Sequence, residues 1–299
     1  MAADKPAKAP PLYEGAWNKS TDSGGRLASV HRHGKVDPMK RAIPLAVLLA
    51  ACGQQRAPTA ANEVAEAATQ PKPEPPAAKA FAFDEENELI EFHYGWPAEA
   101  AAVPQLVERF RKDMAKVKAD LIAGAEEDKA YRDKEKFDFH GHSSSTEYAT
   151  AGQSPRLLSL TVDAAAYTGG AHGNYGTSGL LWDRQAAREI ELADLFAAPG
   201  NMARLLTQRW CDALNKAREE KRGEPVGGGG MFDDCPKLSE IAIVPTDKDK
   251  NGRFDGLMLT ASPYVAGPYA EGSYEIELTV TADLIAALKT EYRDSFEAA

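Results

Sequence analysis

Glycine alternates with aromatic rings and an imidazole in the segment 167–176, which reads YTGGAHGNYG. Glycine permits backbone angles that other residues avoid and lets a partner approach the main chain, while tyrosine and histidine supply rigid contact surface. A second segment of similar composition, 262–272, reads SPYVAGPYAEG. We therefore predict a ligand-binding surface formed by both segments. The predicted contact residues are Tyr167, Gly169, Gly170, His172, Asn174, Tyr175, Tyr264 and Tyr269.

Some of these residues also have a purely structural interpretation. Turn geometry accounts for Gly169 and Gly170 more simply than ligand contact does. His172 is the one histidine of its loop, so a hydrogen-bonded structural role is favoured over a role as ligand or base. For the tyrosines, contact and packing fit the sequence equally well.

A pattern of oxygen ligands, DxDxNGxxD, begins at position 247 and matches the first half of a calcium loop. It supplies Asp247, Asp249, Asn251 and Asp255 as metal ligands. The twelfth position is Met258 instead of the bidentate glutamate, which excludes a full helix-loop-helix site. Two interpretations stay open, a weak Ca²⁺ site and a polar hairpin turn built on Asn251 and Gly252. No other cofactor is expected.

A strand through Phe137 and Phe139 would place Asp138, His140 and His142 on one face, where zinc ligands could converge. A solvated strand face accounts for the same residues. The folded region lacks the sequence motifs of serine hydrolases, zinc proteases, CxxC redox sites and phosphate-binding loops. The sequence thus favours a protein that is not an enzyme.

The elements that position these residues follow from hydrophobic periodicity. Apolar residues alternate with polar ones along 157–164 and again along 274–280, as expected of strands with one buried face. Helical spacing appears at 107–121, at 202–214 and at 284–296, where Thr281 is suited to cap the last helix. We predict an α+β fold, an antiparallel sheet with about three packed helices, in two adjoining subdomains, 81–175 and 176–299.

The first 80 residues predict where in the cell the protein is located. Residues 1–38 look like an appended leader, and Met39 starts a basic segment followed by a short apolar run, as in a secretory signal of residues 39–51. The tetrapeptide LAAC at 49–52 resembles the lipobox of bacterial lipoproteins, which implies lipid on Cys52. By the same resemblance, Gly53 after the cysteine implies sorting to the outer membrane. Residues 52–80 are rich in alanine and proline and predict an extended stalk.

Two cysteines remain once Cys52 is assigned to lipid. Cys211 and Cys235 are an even pair in a chain expected to leave the cytoplasm, so a disulfide is predicted. Two buried free thiols are the alternative.

The charge of the chain limits its partners. The 299 residues carry a net charge of −10, and beyond position 51 the 27 basic and 41 acidic residues leave −14. A nucleic-acid role is disfavoured because phosphate binding needs positive charge. Acidic surfaces instead attract basic partners and raise their encounter rate.

Three ordered motifs resemble a known bacterial extracytoplasmic family. They are YTGGAHGN at 167–174, ELADLF at 191–196, and SPY with GPYAEG at 262–272. The family is the pair of adjoining domains of unknown function found in RsiV-type anti-sigma factors that sense lysozyme and beside the catalytic domain of PdaC-type peptidoglycan deacetylases. The resemblance covers about residues 84–290 and departs at 183–188, where the family usually has a tight Thr-Gly-Lys turn.

The resemblance implies an α+β module without catalytic residues of its own and, in one branch, recognition of lysozyme. The sequence contains neither the deacetylase domain nor the transmembrane and sigma-binding segments, so we expect a lipoprotein that carries the recognition module alone. The predicted function is binding of lysozyme or a peptidoglycan-related ligand in the periplasm-facing cell envelope. A metal-dependent peptidoglycan hydrolase or deacetylase accessory domain is the alternative.

Overall fold

The structure, a computed structural model, describes residues 77–299. The predicted leader 1–38, the signal peptide 39–51, Cys52 and most of the stalk 52–80 lie outside these residues. Nine strands and five helices are described: β1 Phe81–Glu86, β2 Ile90–Trp96, α1 Ala98–Ala101, α2 Pro104–Glu135, β3 His142–Gln153, β4 Leu157–Tyr167, β5 Asn174–Asp183, β6 Arg188–Ile190, α3 Asn201–Arg222, β7 Ala242–Thr246, β8 Gly256–Ala261, β9 Tyr274–Thr279, α4 Ala282–Ala287 and α5 Thr290–Arg293.

The strands form two sheets that follow chain order. The larger sheet has six strands, β1 to β6, and the smaller sheet has three, β7 to β9. Neighbouring strands are antiparallel except β2 and β3, which are parallel because α1 and α2 carry the chain back across the sheet before β3 begins. The predicted α+β class is confirmed.

The larger sheet contributes to two hydrophobic cores. Its inner face packs against α2, whose buried residues recur at helical spacing through Leu106, Phe110 and Val117. On β4, Leu158 and Leu160 face this helix, whereas Leu157 belongs to the second core, built around α3 and the smaller sheet. The division predicted between residues 175 and 176 falls within β5, a strand that the larger sheet needs.

Two predicted elements are wrong. Residues 137–141 are not a strand: α2 continues to Glu135, Lys136 adopts a left-handed conformation with φ of 60°, and β3 begins only at His142. The last helix is two short helices, because the backbone N–H of Lys289 donates to the Leu195 carbonyl at 2.8 Å instead of to its own helix. Thr281 does cap α4, accepting the Leu284 N–H at 3.3 Å.

The helices of residues 77–299 include none that combines the length and the apolar character needed to cross a bilayer.

Phe110 tests the packing of α2 on the sheet. Its ring is fully buried, with its centroid 4.1 Å from that of Tyr148 and 5.6 Å from that of Trp96. We expect Phe110→Ala to lower the free energy of unfolding by about 3–5 kcal/mol in urea titrations, since it leaves a cavity. Phe137→Ala is the control: that ring is 59% exposed, and its loss should change stability by less than about 0.5 kcal/mol. Similar losses in both variants would contradict this packing.

Candidate functional site

The two glycine- and tyrosine-containing loops lie side by side. The first, called the Tyr167 loop, connects β4 to β5, and the second, called the Tyr264 loop, connects β8 to β9. Tyr269 lies at the centre: its ring centroid is 4.0 Å from His172, which stacks on it, 5.6 Å from Tyr264 and 5.8 Å from Tyr175. These four residues are called the aromatic cluster. Segments 92 positions apart in sequence thus form one surface feature, and ligand binding by this feature stays a prediction.

Hydrogen bonds fix the rings of the aromatic cluster to the opposite loop. The Tyr269 hydroxyl donates to the Gly173 carbonyl at 2.8 Å, and Tyr264 Oη lies 3.5 Å from His172 Nε2. The outer rings nevertheless stay accessible, Tyr264 being 54% and Tyr175 39% exposed. Fixed, exposed tyrosines are the residue type that dominates the binding energy of protein interfaces.

Tyr264 has an unusual backbone. Its φ of 68° lies in the left-handed region that non-glycine residues rarely adopt, at a cost on the order of 1–3 kcal/mol. The Tyr264 N–H donates to the Gly267 carbonyl at 3.0 Å, which closes the tight turn. Such a conformation persists only where the surroundings hold it, so the support of this loop matters.

A buried arginine at the end of α3 supports the loop. Arg218 is fully buried, and its Nε donates to the Ala266 carbonyl of the Tyr264 loop at 2.9 Å. Its Nη2 donates to the Asp234 carbonyl at 3.0 Å and its Nη1 to the Asp233 carbonyl at 3.3 Å. One guanidinium therefore joins α3, the Tyr264 loop and the segment before Cys235.

The next turn of α3 adds charged contacts to the same loop. Arg222 Nε donates to a Glu271 carboxylate oxygen at 3.0 Å, and Lys221 Nζ donates to the carbonyls of Glu271 and Ser273 at 2.8 Å each. Burial alone would raise the pKa of Glu271, but hydrogen bonds from Arg222 and Tyr274 outweigh it and lower the pKa. Glu271 is therefore an ionised anchor of the loop and is not free to act as a general acid.

The glycine tract, residues 227–230, is attached to the same helix. Cys211 of α3 and Cys235 are bonded, as the sequence predicted. The Asp233 carboxylate accepts the Gly230 N–H at 2.7 Å, and this bond and others from the tract lower its pKa. Arg222 Nη1 lies 3.4 Å from Asp233 Oδ1. The disulfide, Arg218 and Arg222 thus organise the glycine-rich segment that follows α3.

The remaining predicted contact residues lie outside the aromatic cluster. The Gly169 carbonyl accepts from Arg132 Nη2 at 3.0 Å, and a side chain at Gly169 would clash with this guanidinium. Asn174 precedes Tyr175 on β5, so its side chain lies on the opposite sheet face. Tyr167 lines a separate cleft of about 330 Å³ beside the β1–β2 turn. A Cβ added at Gly170 would be in ordinary van der Waals contact with the His172 carbonyl oxygen, at 3.9 Å.

The predicted calcium ligands form hydrogen bonds within the β7–β8 connection. The two carboxylate oxygens of Asp247 accept the N–H groups of Asn251 and Gly252 at 3.1 and 3.0 Å. Asp249 accepts from the Asn251 amide at 3.0 Å, and Asp255 accepts the Lys248 N–H at 3.1 Å. These bonds fit the polar-turn interpretation; calcium binding stays a prediction.

The zinc hypothesis depended on a strand through residues 137–141, and these residues do not form a strand. His142 opens β3 with its side chain buried and its Nε2 3.3 Å from Asp128 Oδ2, whereas His140 precedes the strand. Across residues 77–299, no group of three or more histidine, cysteine or acidic side chains is arranged to hold a metal ion.

Two functional features were missed in the sequence. Arg218 continues the buried stripe of α3 four residues after Leu214, so a charged residue at a core position was the available signal. The second feature is the pair of carboxylates around His93 of β2, a residue that the sequence offered only as a distant zinc ligand: its Nδ1 lies 2.6 Å from Asp84 and its Nε2 lies 2.9 Å from Glu147. These hydrogen bonds, first that to Asp84, raise the pKa of His93.

Comparisons with known proteins support the resemblance seen in the sequence. Residues 83–175 match the family model described as Deacetylase PdaC, so the resemblance to PdaC-type proteins is confirmed over this part of the chain. No curated protein matches the chain by sequence.

Two solved structures are similar to the chain. One is a DUF3298 family protein from Pseudomonas aeruginosa PAO1, with 15% identity, 74% of this chain and 98% of that chain covered, and a TM-score of 0.47. The other is a DUF3298 family member from Bacteroides fragilis NCTC 9343, with 19% identity, 73% and 95% covered, and a TM-score of 0.45.

Substitution of Arg218 tests whether its guanidinium stabilises the Tyr264 loop and the segment before Cys235. We expect Arg218→Ala to lower the free energy of unfolding by about 3 kcal/mol, because it removes a fully buried side chain and leaves the buried Ala266 carbonyl without this donor. Limited proteolysis should also cut faster within 227–234. Arg204→Ala on the exposed side of the same helix is the control and should cost less than about 0.5 kcal/mol. Equal stability and equal cleavage of the two variants would contradict the role of Arg218.

Proposed function

We propose that the chain is a lipid-anchored binding protein of the bacterial cell envelope, whose folded part recognises a partner through the aromatic cluster. A basic, lysozyme-like muramidase is the first candidate partner, and a peptidoglycan-related ligand is the second. The protein recognises its partner without making or breaking bonds.

The observation that carries this proposal is the fixed and exposed tyrosine surface. Tyr264 and Tyr175 are accessible, and both contact a Tyr269 ring whose hydroxyl is hydrogen-bonded across the two loops. Tyrosine rings that are already ordered lose little conformational entropy on binding, so more of the contact energy appears as affinity. A surface with packing as its only role would not need Tyr264 in a strained conformation pointing to solvent.

Charge supports a basic partner. The chain beyond position 51 carries a net charge of −14, which attracts cationic proteins and accelerates their encounter. The attraction is screened by salt, so binding should weaken as ionic strength rises.

The proposed location rests on the start of the sequence and on the disulfide. The LAAC tetrapeptide at 49–52 implies lipidation of Cys52 and attachment to a membrane, with the outer membrane favoured by Gly53. A bond between Cys211 and Cys235 suits an oxidising compartment such as the periplasm.

The alternative function, a metal-dependent peptidoglycan hydrolase or deacetylase accessory domain, is motivated by the description of the matching family model as a deacetylase. Metal-dependent turnover of muropeptides by the purified protein, lost in His172→Ala, would favour this alternative.

Tyr264 tests the binding surface. Binding of c-type lysozyme is measured by calorimetry at low salt, and we expect Tyr264→Ala to raise the Kd at least about tenfold, as at interface hot spots. Tyr131→Ala is the matched control, because Tyr131 is 58% exposed on α2 and is not part of the aromatic cluster. It should leave the Kd within about twofold. Absence of lysozyme binding would remove this partner, and equal effects of both variants would contradict the location of the surface.

A further inference from the structure

One face of the larger sheet is only partly covered. Its inner face packs against α2, and the smaller sheet covers part of its outer face. The close approach of the smaller sheet is visible at Gly152 and Gly179, where an added Cβ would lie 2.7 Å from the Asp247 nitrogen and 2.9 Å from the Val244 side chain. The rest of the outer face, toward β1 and the aromatic cluster, is accessible in the described structure.

A row of paired residues crosses this accessible part. The strand registers place Asp84, His93, Ser145, Ala165 and Tyr175 side by side on β1 to β5. Paired residues of neighbouring strands point to the same face. The side chains in the middle of the row, Ser145 and Ala165, are small, and those at both ends are larger, so the middle of the row is lower than its ends. We call this depression the trough.

The size of the trough suits an extended chain. Three strand spacings separate His93 from Tyr175, which is about 14 Å. One wall is the aromatic cluster, since the Tyr175 ring contacts that of Tyr269. The other wall is His93 between Asp84 and Glu147.

The charge around the trough is mainly negative. Exposed carboxylates point outward from four adjacent strands, at Asp84, Glu86, Glu91, Glu147 and Asp163. Among the outward-facing residues of β1 to β5, His93 is the one basic side chain. An anionic ligand would be repelled here, whereas a cationic one is attracted.

We propose that the trough docks a cationic polypeptide segment, with His93 as the internal counter-ion that the partner's lysine or arginine side chains replace. The aliphatic stems of these side chains lie over Ser145 and Ala165, and their charged ends reach the carboxylates on one side and the tyrosine faces on the other. This inference rests on the proposed binding function. It adds that the partner's contacting segment is cationic and that the trough extends the binding surface beyond the aromatic cluster.

The test blocks the floor of the trough. Ala165→Arg places a bulky cation at its centre, and Ala130→Arg is the matched control, an exposed alanine on α2 with the same change in charge. Fluorescent octalysine is titrated with the full 299-residue chain, with octaglutamate as the charge control. We expect Ala165→Arg to weaken octalysine binding about tenfold or more and Ala130→Arg to change it less than about twofold. Unchanged binding in Ala165→Arg, or equal losses in both variants, would overturn the trough.

The pH dependence of octalysine binding tests the counter-ion role of His93. Its ring contacts Asp84 of β1 and Glu147 of β3, and Glu86 and Glu91 lie on the same sheet face, each two residues along its strand from the Asp84–His93 pair. As pH rises through the raised pKa of His93, the ring loses a proton and releases a carboxylate, so octalysine affinity should increase about threefold between roughly pH 5.5 and 8.5. His93→Gln should abolish this increase. A variant that keeps the increase would overturn the counter-ion role.

The outcomes separate this inference from the proposed function. If Tyr264→Ala weakens lysozyme binding while Ala165→Arg binds octalysine and lysozyme normally, the binding function stands and the trough is wrong. If lysozyme does not bind but octalysine binding is lost in Ala165→Arg, the trough stands and the partner named above is wrong.

Discussion

The arrangement of the candidate site depends on one buried guanidinium. Burying a charge is costly unless hydrogen bonds satisfy it, and Arg218 meets this condition with the carbonyls of Asp233, Asp234 and Ala266. Those carbonyls belong to two irregular segments with little secondary structure of their own. The cost of burying Arg218 is therefore offset only when both segments are in place, which couples their order to the folding of α3. Arg222 adds to this coupling by contacting both Glu271 and Asp233.

A second constraint comes from the long central strands of the larger sheet. Strands β3, β4 and β5 are 12, 11 and 10 residues long, whereas the strands of the smaller sheet have 5 or 6. The smaller sheet consequently covers only part of the outer face. The uncovered part adjoins the aromatic cluster because Tyr175 lies at the start of β5, where that strand leaves the Tyr167 loop. The binding surface proposed above thus follows from a mismatch in length between two packed sheets.

Local patterns predicted much of this structure. The alternation in β4, the helical stripe of α3, the disulfide and the Thr281 cap each depend on neighbours in sequence or on composition. The similar composition of the two tyrosine-containing loops predicted a shared binding surface; the loops lie side by side, and ligand binding by them stays a prediction.

Three features that the sequence did not predict share a physical cause, since each depends on contacts between residues that are distant in sequence. The parallel pairing of β2 with β3 requires a helix to cross between them. Lys289 leaves the helical path because a carbonyl of residue 195 competes for its N–H. The bracketing of His93 by Asp84 and Glu147 arises only when β1 and β3 pair with the same strand.

The central claim is that an ordered tyrosine surface is the place of contact with a partner. Hydroxyl-radical footprinting in the absence and presence of c-type lysozyme measures this on the unmodified protein. The account predicts that oxidation of Tyr264 and Tyr175 decreases in the complex, while that of the exposed Tyr131 and Met231 stays unchanged. Protection of Tyr131 with Tyr264 and Tyr175 still fully reactive would contradict it.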